Sequence, residues 1–374
     1  MKKERIARIQ DLVGLVHSLY PPALAEEWDN VGLQVGEAAA ELKSVLICLD
    51  PNEKALDAAV AADAQAIVAH HPLLFRPLRN LVPADETSRV LFRAVREGIA
   101  ILCVHTNLDR GRNGLNDWLA ARLGVAAAKP LAAGGELLKL VVFVPAGYES
   151  QVADALFAGG AGEVGRYDRC SFRSSGTGTF RPGPDTTPFI GRAGETEAVR
   201  ELRLETVLPR EAAGRAVERM LKAHPYEEVA YDLIPLANRR SDVGLGRIGR
   251  LEQALPLGEF ALQVKTALGA NSLRLVGDTG RRVAKVALCG GSGSSLLAEA
   301  VRQGADVLVT GDVKYHEAKN AESQGIALID GGHFATEHLM VAGLSAVLRQ
   351  EAEKKGLNVV FHEMKGESDP FRTI

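Results

Sequence analysis

Apolar residues recur at Ile6, Ile9, Val13, Val16 and Leu19, close to the 3.6-residue period, and predict a helix over about 3 to 20 that Pro21-Pro22 ends. Beyond it, short β-branched runs alternate with helix-like stretches. VLICL (45–49), AIVA (66–69) and IAILCV (99–104) are separated by helical patterns over 53–63 and 86–97. Continuous apolar strands divided by helices predict βαβ units and a mainly parallel sheet covered by helices on its faces. After a Gly-rich break at Ala132 to Gly135 the pattern changes. KLVVFVP opens a new stretch that continues through VADALF, a Ser/Gly/Thr/Pro run from Ser171 to Pro188, the strand-like ELRLETVLP and a helix over 210–223. That order predicts a ferredoxin-like α+β module with 174–188 as a mobile loop. Near residue 239 the first pattern returns, as VALCGG, ADVLVTGD, IALIDGG and NVVFHE with helices over 294–303 and 335–354. The expectation is a discontinuous, two-lobed α/β core over 1–129 and 239–374, interrupted by an α+β insert over 130–238.

Composition narrows the class without naming a partner. A chain of 374 residues, 46% hydrophobic and 24% charged, is neither disordered nor a coiled-coil rod. Lys and Arg number 44 against 47 for Asp and Glu, so the basic footprint of a nucleic-acid binder is missing. Cys48, Cys103, Cys170 and Cys289 form no C-x-x-C pair, and three lie in apolar runs, so reduced core thiols are expected. Gln10 and Asp11 interrupt the first apolar stretch, and no run is long enough to cross a membrane, which makes the cytoplasm the expected compartment.

Histidine changes the picture. The strand run AIVA leads straight into His70-His71-Pro72, ILCV into His105-Thr106-Asn107-Leu108-Asp109, and ALID through Gly331-Gly332 into His333 with Glu337 four residues later. In open α/β sheets working groups collect at the carboxyl ends of strands, so the three clusters are expected on one rim. Imidazoles with carboxylates favour Zn, Fe, Mn, Co or Ni over Ca or Mg. His333 and Glu337 share a helix face, and a turn at Pro72 can direct His70 and His71 toward a pair of ions that Glu337 or Asp109 would bridge. His105 reads as a ligand or, preferably, as a donor that orients Asp109. Any one of these histidines alone is more simply a hydrogen-bonded structural residue; three clusters at three equivalent strand ends favour metal.

Other motifs are less specific. Gly290-Gly291-Ser292-Gly293-Ser294-Ser295 follows a strand and opens a helix, where amides can cradle phosphate, but a tight turn with a serine cap explains it as well. Asp312 and His316 follow another strand and can serve substrate or proton transfer, or structure. Trp28-Asp29-Asn30-Val31-Gly32 suits a pocket wall. His224-Pro225-Tyr226-Glu227-Glu228, in the insert, reads as structural or as an interdomain contact.

The segments EWDNVGLQVG (27–36), IVAHHPLLF (67–75), VHTNLDRGRNGLNDWLA (104–120), GLGRIG (244–249), CGGSGSSLL (289–297), LVTGDVKYHEAKNA (308–321) and DGGHFATE (330–337) together resemble the Nif-three-like dinuclear-metal family, also described as GTP cyclohydrolase I type 2 homologues. The stretch from KLVVFVP to HPYEEVAYDLIPL is similar to the PII-like or CutA-like insert of its longer members. The resemblance implies two divalent transition-metal ions held by His70, His71, Asp109, His333 and Glu337, in a toroidal homohexamer whose sites face an internal cavity. It further implies a hydrolase that opens a purine ring with metal-activated water; for such chemistry this chain offers His316 or His105 to move protons and Arg110, Arg112 and the 290–295 loop to receive phosphates, the two arginines making the loop after Asp109 more basic than is usual for the family. A non-catalytic hexamer that handles or senses metal uses the same ligands and stays open at this point.

Overall fold

The computed structural model describes residues 6–372. Two compact units make up the chain, Met1–Gly134 with Ser241–Ile374, and Gly135–Arg240. The first opens with α1 (Ile9–Leu19), β1 (Gly32–Val35), β2 (Ser44–Cys48), α2 (Glu53–Ala61), β3 (Ala66–Ala69), α3 (Glu86–Glu97), β4 (Ala100–Cys103), α4 (Thr106–Arg110) and α5 (Leu115–Arg122). β5 (Ala126–Pro145) leads to α6 (Glu149–Ala158), β6 (Ser171–Phe180), β7 (Glu197–Pro209) and α7 (Ala213–Ala223) before β8 (Tyr231–Pro256). The chain then runs through α8 (Leu257–Leu268), β9 (Arg274–Val276), β10 (Arg282–Leu288), α9 (Leu297–Arg302), β11 (Val307–Thr310) and α10 (Tyr315–Ser323). It finishes with β12 (Ala327–Asp330), α11 (His333–Glu337), α12 (Met340–Lys354) and β13 (Val360–Glu363).

The first unit is a mixed α/β structure with two sheets. One has the order β1-β4-β3-β2-β13, parallel except for β1, which runs antiparallel to β4. The other has the order β8-β10-β11-β12-β9, with a parallel centre and antiparallel edges. Their strands read as unbroken apolar runs because both faces are covered. Val45, Ile47 and Leu49 pack toward Leu12, Leu15, Leu344 and Leu348 of α1 and α12, while Leu46, Cys48 and Ile67 pack toward Leu56, Val90 and Ala94 of α2 and α3. Each such burial contributes about 1.5–3 kcal/mol. Helix ends carry their own signals: the Asp85 carboxylate accepts from the Ser88 amide at 2.8 Å to start α3, and Gly98 ends it at φ 68°. Arg247 of GLGRIG is fully buried. It donates to both carboxylate oxygens of Asp117 and to the carbonyls of Gly111, Gly244 and Gly246, which ties β8 to the start of α5.

The second unit is α+β. Its strands take the order β6-β7-β5-β8, and Leu138, Leu140, Val142 and Val144 alternate inward against Val152, Leu156, Ala216 and Met220 of α6 and α7. Among the described residues no helix is long and apolar enough to cross a membrane.

Four expectations need correction. The first helix starts at Ile9; the part of its pattern over residues 3–5 lies outside the described residues. The Gly-rich stretch at 132–135 does hold the boundary between the two units, at Gly134 and Gly135, but as part of the continuous strand β5 rather than as an interruption. A Cβ on Gly244 would meet the Ala132 carbonyl at 2.1 Å, so glycine here serves close backbone approach rather than a turn. Residues 174–180, expected in a mobile loop, belong to β6, paired with β7 in register from Ser171 opposite Thr206 to Phe180 opposite Glu197. Ladder bonds to β7 override the weak strand propensity of Ser and Gly. Finally, the three histidine clusters do not share one sheet's rim: β3 and β4 belong to one sheet and β12 to the other.

Candidate metal centre

The strand ends of both sheets converge. β3 delivers His70 and His71, the segment after β4 delivers His105 and, within α4, Asp109, and β12 turns through Gly332 (φ 84°) into α11, which carries His333 and Glu337. Four imidazoles are oriented the same way, each with Nδ1 on an oxygen. His70 Nδ1 donates to the Val104 carbonyl at 2.9 Å. His71 Nδ1 meets Asp50 Oδ1 at 2.7 Å, His105 Nδ1 meets Asp29 Oδ1 at 2.9 Å, and His333 Nδ1 meets Asp312 Oδ2 at 2.6 Å. Oxygen partners at Nδ1 free Nε2 for a ligand, the arrangement found behind metal-bound histidines.

The Nε2 atoms surround Glu337. Its Oε2 lies 3.1 Å from His71 Nε2 and 2.9 Å from His333 Nε2, and its Oε1 lies 3.8 Å from His70 Nε2. His70 Nε2 is 3.7 Å from Asp109 Oδ1, and both atoms are buried with no hydrogen-bond partner. Buried orphan atoms are costly unless something fills the gap. Two ligands of one ion, each bound at about 2.0–2.2 Å, sit about this far apart, so the residues fit a divalent cation. The nitrogen and carboxylate oxygen donors suit Zn, Fe, Mn, Co or Ni. Among the described residues, two groups of potential ligand atoms are compact enough to hold an ion, His70 with His71 and His105, and His71 with His333 and Glu337.

In the metal-free protein, protons stand in for the cation. Burial opposes a charged His71, yet hydrogen bonds with Asp50 and Glu337 push it up to about 10. The hydrogen bond to Glu337 pushes His333 up to about 9. His70 is also raised, since the charges of Asp109 and Glu337 outweigh its burial. Glu337, though buried, is held well below the usual carboxylate range by the surrounding imidazoles, whereas burial and the charge of Glu337 lift Asp109. Burial of Asp29 is likewise outweighed by His105 and Thr106, which bring it down to about 2.

Space for Glu337 depends on Gly291. A Cβ there would meet Glu337 Oε1 at 2.1 Å, and the residue's φ is +59°. We expect Gly291→Ala to displace the carboxylate and lower metal affinity by at least tenfold; elemental analysis after equilibration with limiting metal measures it, and full occupancy would contradict the steric argument. A cavity of about 1000 Å³ adjoins the centre, lined by Asp50, His71, Asp312, His333, Phe334 and His338 among others.

Other sequence-derived candidates fall differently. His105 bonds Asp29, not Asp109 as expected, because α4 places Asp109 a turn further on. His316 is exposed on α10 against the Tyr315 ring, outside both groups of potential ligand atoms and the cavity wall. Arg110 pairs with Glu26 and Arg112 with Asp242, so neither is a free phosphate receiver. Amides of the 290–295 loop are also engaged: Gly290 donates to Asn116 Oδ1, Gly291 to Thr336 Oγ1 and Gly293 to Thr310 Oγ1. His224 is satisfied structurally, its Nε2 on the Phe143 carbonyl and its Nδ1 accepting from the Tyr226 amide. Sequence reasoning missed Asp50 and Glu367. Asp50 follows the end of β2 and carried that strand-end signal; Glu367, which accepts the Leu49 and Asp50 amides, had none.

The fold and this cluster define an α/β protein whose strand ends build a histidine and carboxylate site able to hold metal. The model of the Duf34/NIF3 (NGG1p interacting factor 3) family matches residues 7–370, and the chain belongs to that family. It is 40% identical over 372 residues to a protein of Halalkalibacterium halodurans named GTP cyclohydrolase 1 type 2 homolog, covering 99% of this chain and 100% of that one. A Bacillus subtilis protein of the same name is 40% identical, with 97% of each chain covered. A crystal structure of a Bacillus cereus protein related to NIF3 superimposes with a TM-score of 0.87 at 39% identity, over 99% of this chain and 100% of that one.

Proposed function

We propose that the protein is a dinuclear-metal hydrolase of GTP cyclohydrolase type that opens a purine ring at C8 and releases formate. The observation that carries this reading is the pair of orphaned buried atoms, His70 Nε2 and Asp109 Oδ1, with His70 facing Glu337 beside the imidazole pair His71 and His333. His70, Asp109 and Glu337 would hold one ion; His71, His333 and Glu337 would hold the other. Two such cations supply Lewis acidity and water acidic enough to act near neutral pH. The protein's own part is positional. Asp29, Asp50 and Asp312 fix the tautomers of His105, His71 and His333, and Glu337 sets the spacing between the two halves. His105, partly exposed with Nδ1 on Asp29, is the imidazole better placed to exchange protons with a substrate; His316 lies on the outer surface of α10.

The same reading includes a cytoplasmic homohexamer and a PII/CutA-like insert. The strand order β6-β7-β5-β8 supports the latter, since numbering the insert's strands in sequence gives 2-3-1-4, the ferredoxin-like order.

Metal-loaded protein incubated with GTP and assayed for formate tests the function. Asp109→Ala is expected to lose both metal occupancy and formate release. Undiminished turnover in metal-depleted protein would refute the mechanism, and labile ions without turnover would assign the site to metal handling instead.

A further inference from the structure

Beside His105 lie two aromatic rings that the metal centre does not use. Trp28 is 59% exposed and Phe75 49%, and the two rings lie against one another. Their centroids are 5.8 Å apart, edge to face, and Trp28 lies 6.0 Å from the His105 imidazole in a similar arrangement. Side chains clamp the backbone that carries them. Asn30 Nδ2 donates to the Leu74 carbonyl at 2.5 Å, the Leu74 amide donates to Gln34 Oε1 at 3.0 Å, and Asp29, next to Trp28, accepts from the Thr106 amide at 3.1 Å while holding His105. Exposed aromatic rings grouped beside potential ligands mark a binding surface, unlike apolar side chains exposed singly. Arg76, immediately after Phe75, and Arg79 are exposed cations, in contrast to Arg110 and Arg112, which carboxylates already occupy.

We propose that Trp28 and Phe75 form an aromatic platform on which a planar, π-rich heterocycle stacks against one ring and packs its edge on the other, presented to the metal centre with Arg76 and Arg79 receiving anionic substituents of the same ligand. The inference rests on the reading that the centre acts on a purine-like molecule and adds the residues that receive its ring. Platform and ligand-bearing strand ends are fixed relative to one another by Asp29, which touches both. A ring on this platform therefore has one edge toward His105 and the metal ligands. Specificity would come from ring shape and π-density more than from hydrogen bonds, since every heterocycle has a π-face.

The probe is GTP, with inorganic triphosphate and ribose 5-phosphate as ring-free controls, titrated into the metal-loaded full chain. Of the two tryptophans, Trp118 is replaced (Trp118→Phe) so that Trp28 alone reports. GTP is expected to quench its fluorescence saturably and the controls to leave it unchanged. Trp28→Leu and Phe75→Leu should each weaken GTP binding about tenfold in equilibrium dialysis with metal content unaltered, the scale of one lost stacking contact, and Trp28→Tyr should restore most of it. Unchanged affinity in both leucine variants, or Trp28 shielded from acrylamide in the native assembly, would overturn the proposal. Because binding is read without turnover, GTP bound through Trp28 with no formate released keeps the platform and removes the cyclohydrolase reading. Formate release with an unaltered KM in both leucine variants does the reverse.

Discussion

Glu337→Gln is expected to strip both halves of the centre in one step, leaving under a tenth of the metal bound by the unaltered protein. Among the described residues, Glu337 is the carboxylate that reaches both imidazole sets, with Oε1 3.8 Å from His70 and Oε2 within 3.1 Å of His71 and His333. The amide keeps the shape and removes the charge, and an amide oxygen would be a weaker ligand than a carboxylate for a cation held on either side. The loss should exceed the 10- to 100-fold that follows removal of a group behind a ligand, which is the effect expected for Asp50→Asn. Titration of metal-free protein followed by elemental analysis makes the comparison. A glutamine variant that keeps a full complement of tightly held metal would show that Glu337 is not at the centre of the site.

The second large effect is a divergence of stability with pH. His71 and His333 are pushed up to about 10 and about 9 in the metal-free protein, above an ordinary histidine near 6.5. A raised histidine contributes stability that is complete below the unfolded value and lost as pH rises through the folded one. Metal-free protein should therefore weaken steadily between about pH 6.5 and 10. For His71, which is mostly buried, the loss is on the order of 2–4 kcal/mol; the more exposed His333 adds less, because solvent screens it. The contact with Glu337 appears in the shifts of both partners and counts once. Metal-loaded protein should behave oppositely, because each ion displaces protons and so binds more tightly as pH rises. Melting curves of chelated and loaded protein at pH 6, 7, 8 and 9 should separate progressively. Parallel curves would mean that the imidazoles carry no protons without metal.

The parts of the fold that sequence revealed are those where burial is two-sided. VLICL and AIVA read as strands because Leu46 and Ile67 face one helical layer while Val45 and Val68 face the other. β6 could not be read this way, since Ser174, Ser175 and Gly176 are exposed and only pairing with β7 makes them a strand. The same limit applies to the site. His70, His71, Asp109, His333 and Glu337 were legible as strand-end clusters and through the family resemblance. Their convergence from two sheets was not, because the pattern marks strand ends without saying which sheet holds each strand. Partners set by long-range packing were also hidden: Asp29 stands far from His105 in sequence, and Glu367 further still from Leu49. The phosphate-cradle reading of 290–295 lost its amides to Asn116, Thr310 and Thr336 for the same reason.

The placement of β13 beside β2 has a consequence for how the protein is made. A ribosome releases His70, His71, His105 and Asp109 early, yet Glu337 follows only after more than two hundred further residues, and the strand that completes the first sheet follows that. Until then the emerging half-site has imidazoles without the carboxylate that joins them, and a sheet with an open edge at β2. The carboxylate that joins the two imidazole sets is therefore among the last parts of the site to be made, and the sheet that carries His70 and His71 is closed only by a strand that follows it.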